Sequence, residues 1–226
     1  MSVTDAPIEQ PASDDPTAPM AEHDRAPHPE HGPADGHATS TGLSNEKLAM
    51  WVFLGSECLL FGGLISTFLL LRGREVVDQV GPDVSELYDI PFTSVSSFVL
   101  LMSSLTMVLA LSAAQRNDQP RLRTWLVTTA LLGATFVAGQ VYEFTAFLRE
   151  GFGFTTNLQS SAFYVLTGFH GVHVTIGIIM LMSLVVMSVR GSLTRQRSET
   201  VEIVGLYWHF VDVVWIIIFT VVYLIR

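Results

Sequence analysis

The sequence predicts an all-α integral membrane protein. It reads as a bundle of five transmembrane helices, N-inside and C-outside, behind a disordered, acidic, His- and Pro-rich N-terminal tail. Three observations predict this. Five apolar runs each reach the ~20 residues that a ~30 Å hydrocarbon core requires. The whole chain of 226 residues is 49% hydrophobic and only 15% charged, with mean hydropathy +0.43, too apolar for an ordinary soluble domain. The charge is also unevenly placed. Residues 1–47 hold nine acidic residues against Arg25 and Lys47, so most of the net −9 describes the tail.

Residues 1–44 form the predicted cytoplasmic tail. Seven of the ten prolines lie there and bulky apolar side chains are almost absent, so it cannot bury enough surface to offset chain entropy. Its His23, His28, His31 and His37 could bind a metal weakly, but the favoured reading is a solvated tail that happens to contain histidine. The start shows no basic n-region or apolar h-region of a signal peptide, so insertion is expected to rely on the first span. The single cysteine, Cys58, allows no intrachain disulfide and is expected to pack as a small apolar residue.

The transmembrane domain covers 45–226. Ser44 or Asn45 can cap the first helix, and Glu46 suits its dipole. The spans run over about 48–71, 93–111, 122–148, 160–189 and 201–225, the second beginning just after Pro91. The fourth is long enough to tilt or to extend beyond the membrane. With the N-terminus inside, the inner segments carry Arg25, Lys47, Arg116, Arg121, Arg123, Arg190, Arg195 and Arg197. The outer ones carry Arg72, Arg74, Arg149 and Arg226, and this asymmetry sets the predicted orientation. The loop with Glu75, Asp78, Asp83, Glu86 and Asp89 then faces outward, as a solubilising loop or as an attraction for a cationic partner. No phosphate-binding loop, activated nucleophile or basic nucleic-acid patch is present.

The few polar residues inside the spans carry the functional information, because such groups are expensive in a bilayer and face the bundle interior. Glu57 lies about ten residues into the first span, between Phe53 and Phe61 on its face. It can relay a proton, or hydrogen-bond a neighbouring helix or a lipid headgroup. Gly55, Cys58, Gly62 and Ser66 form a stripe of small residues, as do Ala130, Ala134 and Ala138 in the third span; both are expected to admit a neighbouring helix. Phe136, Gln140, Glu143 and Phe147 share a face of the third span. His170 and His173, at i and i+3, share a face of the fourth. Their depth allows a Glu143–histidine contact. In the fifth span Gly205, His209, Asp212 and Ile216 share a face, His209 and Asp212 can pair directly, and Glu202 lies nearer the surface. The depth estimate puts His170 and His173 in the outer half and His209, Asp212 and Glu57 in the inner half. That mismatch favours hydrogen bonding over a bis-histidine haem, and no metal site with three convergent ligands can be assembled. Trp208 and Trp215 read as lipid-facing or packed aromatics.

Four ordered motifs carry a family resemblance: MWVFLGSECLLFGG (Met50–Gly63), QVYEF (Gln140–Phe144), TGFHGVHV (Thr167–Val174) and YWHFVDVVW (Tyr207–Trp215). From about Lys47 to Arg226 the chain resembles subunit III of the haem–copper respiratory oxidases, especially cytochrome c oxidase subunit III. The resemblance implies an accessory subunit with no redox centre of its own, bound to a catalytic subunit I. Haems and copper lie in the partner subunits, and subunit II commonly accepts electrons. It makes Glu57, His209, Asp212 and Glu202 the candidates for proton uptake or lipid contact. Gln140, Glu143, His170 and His173 are the interhelical hydrogen-bond candidates, and no residue of this chain is assigned to catalysis or to a metal. Bound phospholipid, a bacterial plasma-membrane location, and contact with cytochrome c through the complex follow as expectations.

Two departures stand out. The chain has the short five-helix form, without the two helices that wall a lipid-filled cleft in the longer members. Phe92-Thr93 also stands where many members have Asn-Thr. The neighbouring readings are the equivalent subunit of a quinol oxidase or a nitric-oxide-reductase-associated homologue. The distant ones are a membrane b-type cytochrome and a small proton-coupled transporter using Glu57, His209 and Asp212.

Overall fold

The computed structural model describes residues 44–72, 90–193 and 198–225. The expected tail, the acidic loop and the loop arginines Arg195 and Arg197 lie outside the described residues. Among those described, every regular element is helical. The helices are α1 (Asn45–Arg72), α2 (Ile90–Gln115), α3 (Gln119–Arg149), α4 (Leu158–Val189) and α5 (Ser198–Phe219), which runs on into a π-helical turn, Thr220–Leu224. All five are long and apolar enough to cross a membrane.

Each helix exceeds its apolar run by a few residues, because polar side chains cap and extend the ends. Ser44 Oγ accepts from Lys47 N at 3.2 Å. Asp118 accepts from Arg121 N, with Asn117 in the left-handed region (φ 58°) closing the tight α2–α3 turn. Asn157 and Ser160 form a reciprocal capping box at the start of α4. At the other end of α4, the last carbonyls are orphaned within the helix. There Arg123 donates to Ser188 O at 2.7 Å and to Ser188 Oγ at 2.9 Å.

α5 lies at the centre, packed against α1, α2 and α4, while α3 packs between α2 and α4. α1 packs chiefly on α4 and α5 and buries a single line, Leu54, Phe61 and Phe68, spaced two turns apart. It runs parallel to α5. Lys47 near its start pairs with Glu202 at 3.0 Å, and Arg72 at its end donates to Val221 O at 3.0 Å.

The stripe Gly55, Cys58, Gly62 and Ser66 does not pack within the chain. All four are exposed, and a Cβ at Gly55 or Gly62 would meet nothing. The expectation that Cys58 packs is corrected with it: the bulky Leu54–Phe61–Phe68 line has taken the inner face. Of the alanine stripe only Ala130 is buried. Close approach happens at other small residues. The Trp208 ring is wedged between α3 and α4, where a Cβ at Gly133 would lie 2.5 Å from its Cη2 and one at Gly177 would lie 2.8 Å from its Cε3.

Candidate functional site

Two polar clusters each bring a histidine and a carboxylate together across helices. The first joins α1 to α4. Glu57 is twelve residues beyond Asn45 and His173 fifteen beyond Leu158, so both sit near the middle of their helices. His173 Nε2 lies 3.1 Å from Glu57 Oε2 and His173 Nδ1 lies 2.7 Å from Phe169 O. A carbonyl can only accept, so Nδ1 carries a proton. Both ring nitrogens are thereby engaged. Phe61 closes the pair edge-on, its ring 5.0 Å from that of His173, and Tyr207 donates to the His173 carbonyl at 3.0 Å. The sequence-based depths put Glu57 and His173 in opposite halves; the structure brings them together, both being close to the midpoint where a small depth error changes the half.

The second cluster joins α2 to α5. Ser104 Oγ donates to Asp212 Oδ2 and lies 2.8 Å from His209 Nδ1. With its one proton given to Asp212, Ser104 must receive the Nδ1–H of His209. The expected direct His209–Asp212 pair is replaced by this serine bridge. Residues on a single helix cannot reveal Ser104, which comes from α2. Loss of the bridge strips the buried Asp212 and the half-buried His209 of a partner. Ser104→Ala is therefore expected to cost about 1–3 kcal/mol, read as lower thermal stability of the purified complex.

The remaining residues separate from these clusters. Glu143 accepts from Thr93 at 2.8 Å and from Tyr223 at 3.2 Å, so its expected contact with a histidine is not formed. α2 and the α5 end reach it first. Gln140 Nε2 donates to Thr167 O across α3 and α4 at 2.7 Å. His170 is fully buried and stacks on Trp215 (4.8 Å, 26°), with Phe136 at its edge; neither ring nitrogen has a protein hydrogen-bond partner. Glu202 stays at the surface with Lys47. Trp208 and Trp215, which the sequence left as lipid-facing or packed, are buried and donate to Ser103 and Ser97 at 2.9 and 2.8 Å. Serines one helix away gave no sequence signal for these contacts.

His173 has both nitrogens engaged, His170 is stacked on an indole, and His209 turns Nδ1 to Ser104. Among the described residues no three His, Cys, Asp or Glu side chains group as metal ligands. Proton exchange and helix fastening are what this geometry can do.

A family model described as cytochrome c oxidase subunit III matches residues 30–225. The chain belongs to that family. Curated relatives agree over most of their length. Cytochrome c oxidase subunit 3 of Bacillus sp. (strain PS3) is 39% identical over 188 residues, 83% of this chain and 89% of the relative. Quinol oxidase subunit 3 of Bacillus subtilis (strain 168) is 40% identical over 200 residues, 87% of this chain and 96% of the relative. Cytochrome c oxidase subunit 3 of Thermostichus vulcanus is 40% identical over 179 residues, 79% and 86%. The chain is thus a subunit III of a haem–copper oxidase, a multi-pass membrane component of an oxidoreductase complex. In this subunit III, three of the four motifs supply the carboxylates and histidines of both clusters: Glu57 and His173 come from the first and third, His209 and Asp212 from the fourth.

Proposed function

We propose that the chain is the accessory subunit III of a bacterial plasma-membrane cytochrome c oxidase. That complex reduces oxygen to water and moves protons outward. The chain contributes packing surface to subunit I and a protonatable pair inside the membrane, while haem and copper reside in the partner subunits. Electrons enter through subunit II, and the outer face of the assembly meets cytochrome c. The N-terminus is inside, in keeping with the distribution of arginine and lysine. Phospholipid fills the apolar surface that α1 leaves open.

The observation that carries this reading is the Glu57–His173 pair. A carboxylate and an imidazole held at 3.1 Å in mid-membrane, with no third ligand among the described residues, suit proton exchange or storage better than metal chemistry. Glu202 and Lys47 at the α1–α5 end are fastened at the surface, in reach of water. His209 and Asp212 form the second store through Ser104.

A quinol oxidase is the second reading, favoured by relatives of that name at equal identity. Donor specificity of the purified complex separates the two. Steady oxygen consumption with reduced cytochrome c is expected. Consumption with a quinol alone would move the assignment to the second reading.

A further inference from the structure

Gln140 is buried, yet half of its amide is unused. Its Nε2 is committed to Thr167 O, which fixes Oε1 as the free end. That oxygen accepts no hydrogen bond and lies against Gly171, where a Cβ would come within 2.7 Å of it. It faces a groove of about 290 Å³ between α3 and α4, lined by Val137, Val141, Phe144, Gly168, Val172 and Thr175 among others. Apart from Gln140 and Thr175 these residues are apolar, and the Thr175 hydroxyl is spent on Gly171 O at 2.8 Å. Gly171 is required by the close approach of Gln140. Gly168 is not: a Cβ there would meet nothing within 4 Å, so the groove stays open where packing would admit a side chain.

Depth and width select the occupant. Gln140 is nine residues before Arg149, about 14 Å along the axis at ~1.5 Å per residue. The 31 residues of α3 exceed a ~30 Å hydrocarbon core by about 8 Å at each end. Gln140 Oε1 therefore lies about 6 Å inside the hydrocarbon boundary. Phosphate and ammonium headgroups sit above that level. The groove, about 290 Å³ and left open at Gly168, is also smaller than one turn of a helix of ~10–12 Å diameter. It matches an alkyl chain carrying a hydrogen-bond donor at its head, and an acceptor in hydrocarbon is costly without one.

We propose that the groove between α3 and α4 binds a hydroxyl-bearing membrane lipid. Its hydroxyl donates to Gln140 Oε1 and its chain lies over Gly168, Gly171 and Thr175. The site is separate from both histidine–carboxylate clusters and does not depend on the identity of the electron donor.

The test uses the purified oxidase complex in phosphatidylcholine nanodiscs doped with dioleoylglycerol, with bound lipid read by native mass spectrometry. The wild-type complex should retain dioleoylglycerol in preference to dioleoylphosphatidylcholine, which has no donor. Gly168→Leu should abolish retention by filling the groove. Gln140→Met should weaken it about three- to tenfold, the loss of one hydrogen bond. Thr175→Leu fills the same groove from an exposed position and should repeat the loss if Gly168→Leu does not assemble. Retention unchanged in the groove-filled variants, or no preference between the two lipids, would overturn the proposal. So would cross-linking of Gly168→Cys to another subunit, because a protein segment would then cover the groove.

Discussion

Gly133→Ala is expected to destabilise the bundle by about 1–3 kcal/mol, although it adds one methyl group. The new Cβ would lie 2.5 Å from Trp208 Cη2, inside any permitted contact. The indole cannot retreat: its other side faces Gly177 at a would-be 2.8 Å, and its Nε1 is held by Ser103 at 2.9 Å. Interiors are close-packed, so the strain passes to the helices. Trp208→Phe removes the part of the ring that collides. The double variant should regain stability relative to Gly133→Ala alone, while Trp208→Phe by itself loses the Ser103 bond and leaves a cavity. Thermal unfolding of the complex, with retention of the subunit on a gel, reads the effect. A Gly133→Ala complex as stable as wild type would show that the wedge is not as tight as described.

Glu57→Gln should separate the two roles of the mid-membrane pair. The amide can still hydrogen-bond His173 Nε2, so assembly and stability should stay near wild type. Glu57→Leu leaves that nitrogen buried without a partner and is expected to cost about 1–3 kcal/mol. Glutamine cannot exchange a proton. If the pair supplies protons, the initial oxygen consumption of Glu57→Gln should match wild type and then decline sooner over repeated turnover. Unchanged sustained turnover in Glu57→Gln, together with a destabilised Glu57→Leu, would leave Glu57 a helix fastener only. His173→Gln is a useful companion, because it alters the same pair from α4 and should show the same decay.

The five helices were legible because a ~20-residue apolar run has few alternatives in a bilayer. The residues buried on one face of α3, Phe136, Gln140, Glu143 and Phe147, followed from helical spacing alone. Pairing between helices did not. Helical spacing says which residues share a face and leaves open which other helix that face meets. The bridging Ser104 and the partners of Glu143, namely Thr93 and Tyr223, therefore had no signature in the sequence. Depth counted along a span was too coarse to pair Glu57 with His173, since an error of two residues carries a mid-helix group across the midpoint. The small-residue stripes misled for a related reason. Small residues permit close approach without requiring it, and on α1 the phenylalanines took the inner face. The glycines that matter, Gly133 and Gly177, are recognised only once Trp208 is seen between them.

Membership of a haem–copper oxidase is tested most directly by isolating the complex through this chain in mild detergent and recording its absorption spectrum. The expected result is a Soret band and reduced-haem bands that co-purify with a larger membrane subunit and are absent from this chain once it is separated from that subunit. A preparation without haem or a larger partner, or a Soret band that stays with the separated chain, would contradict the assignment as an accessory subunit.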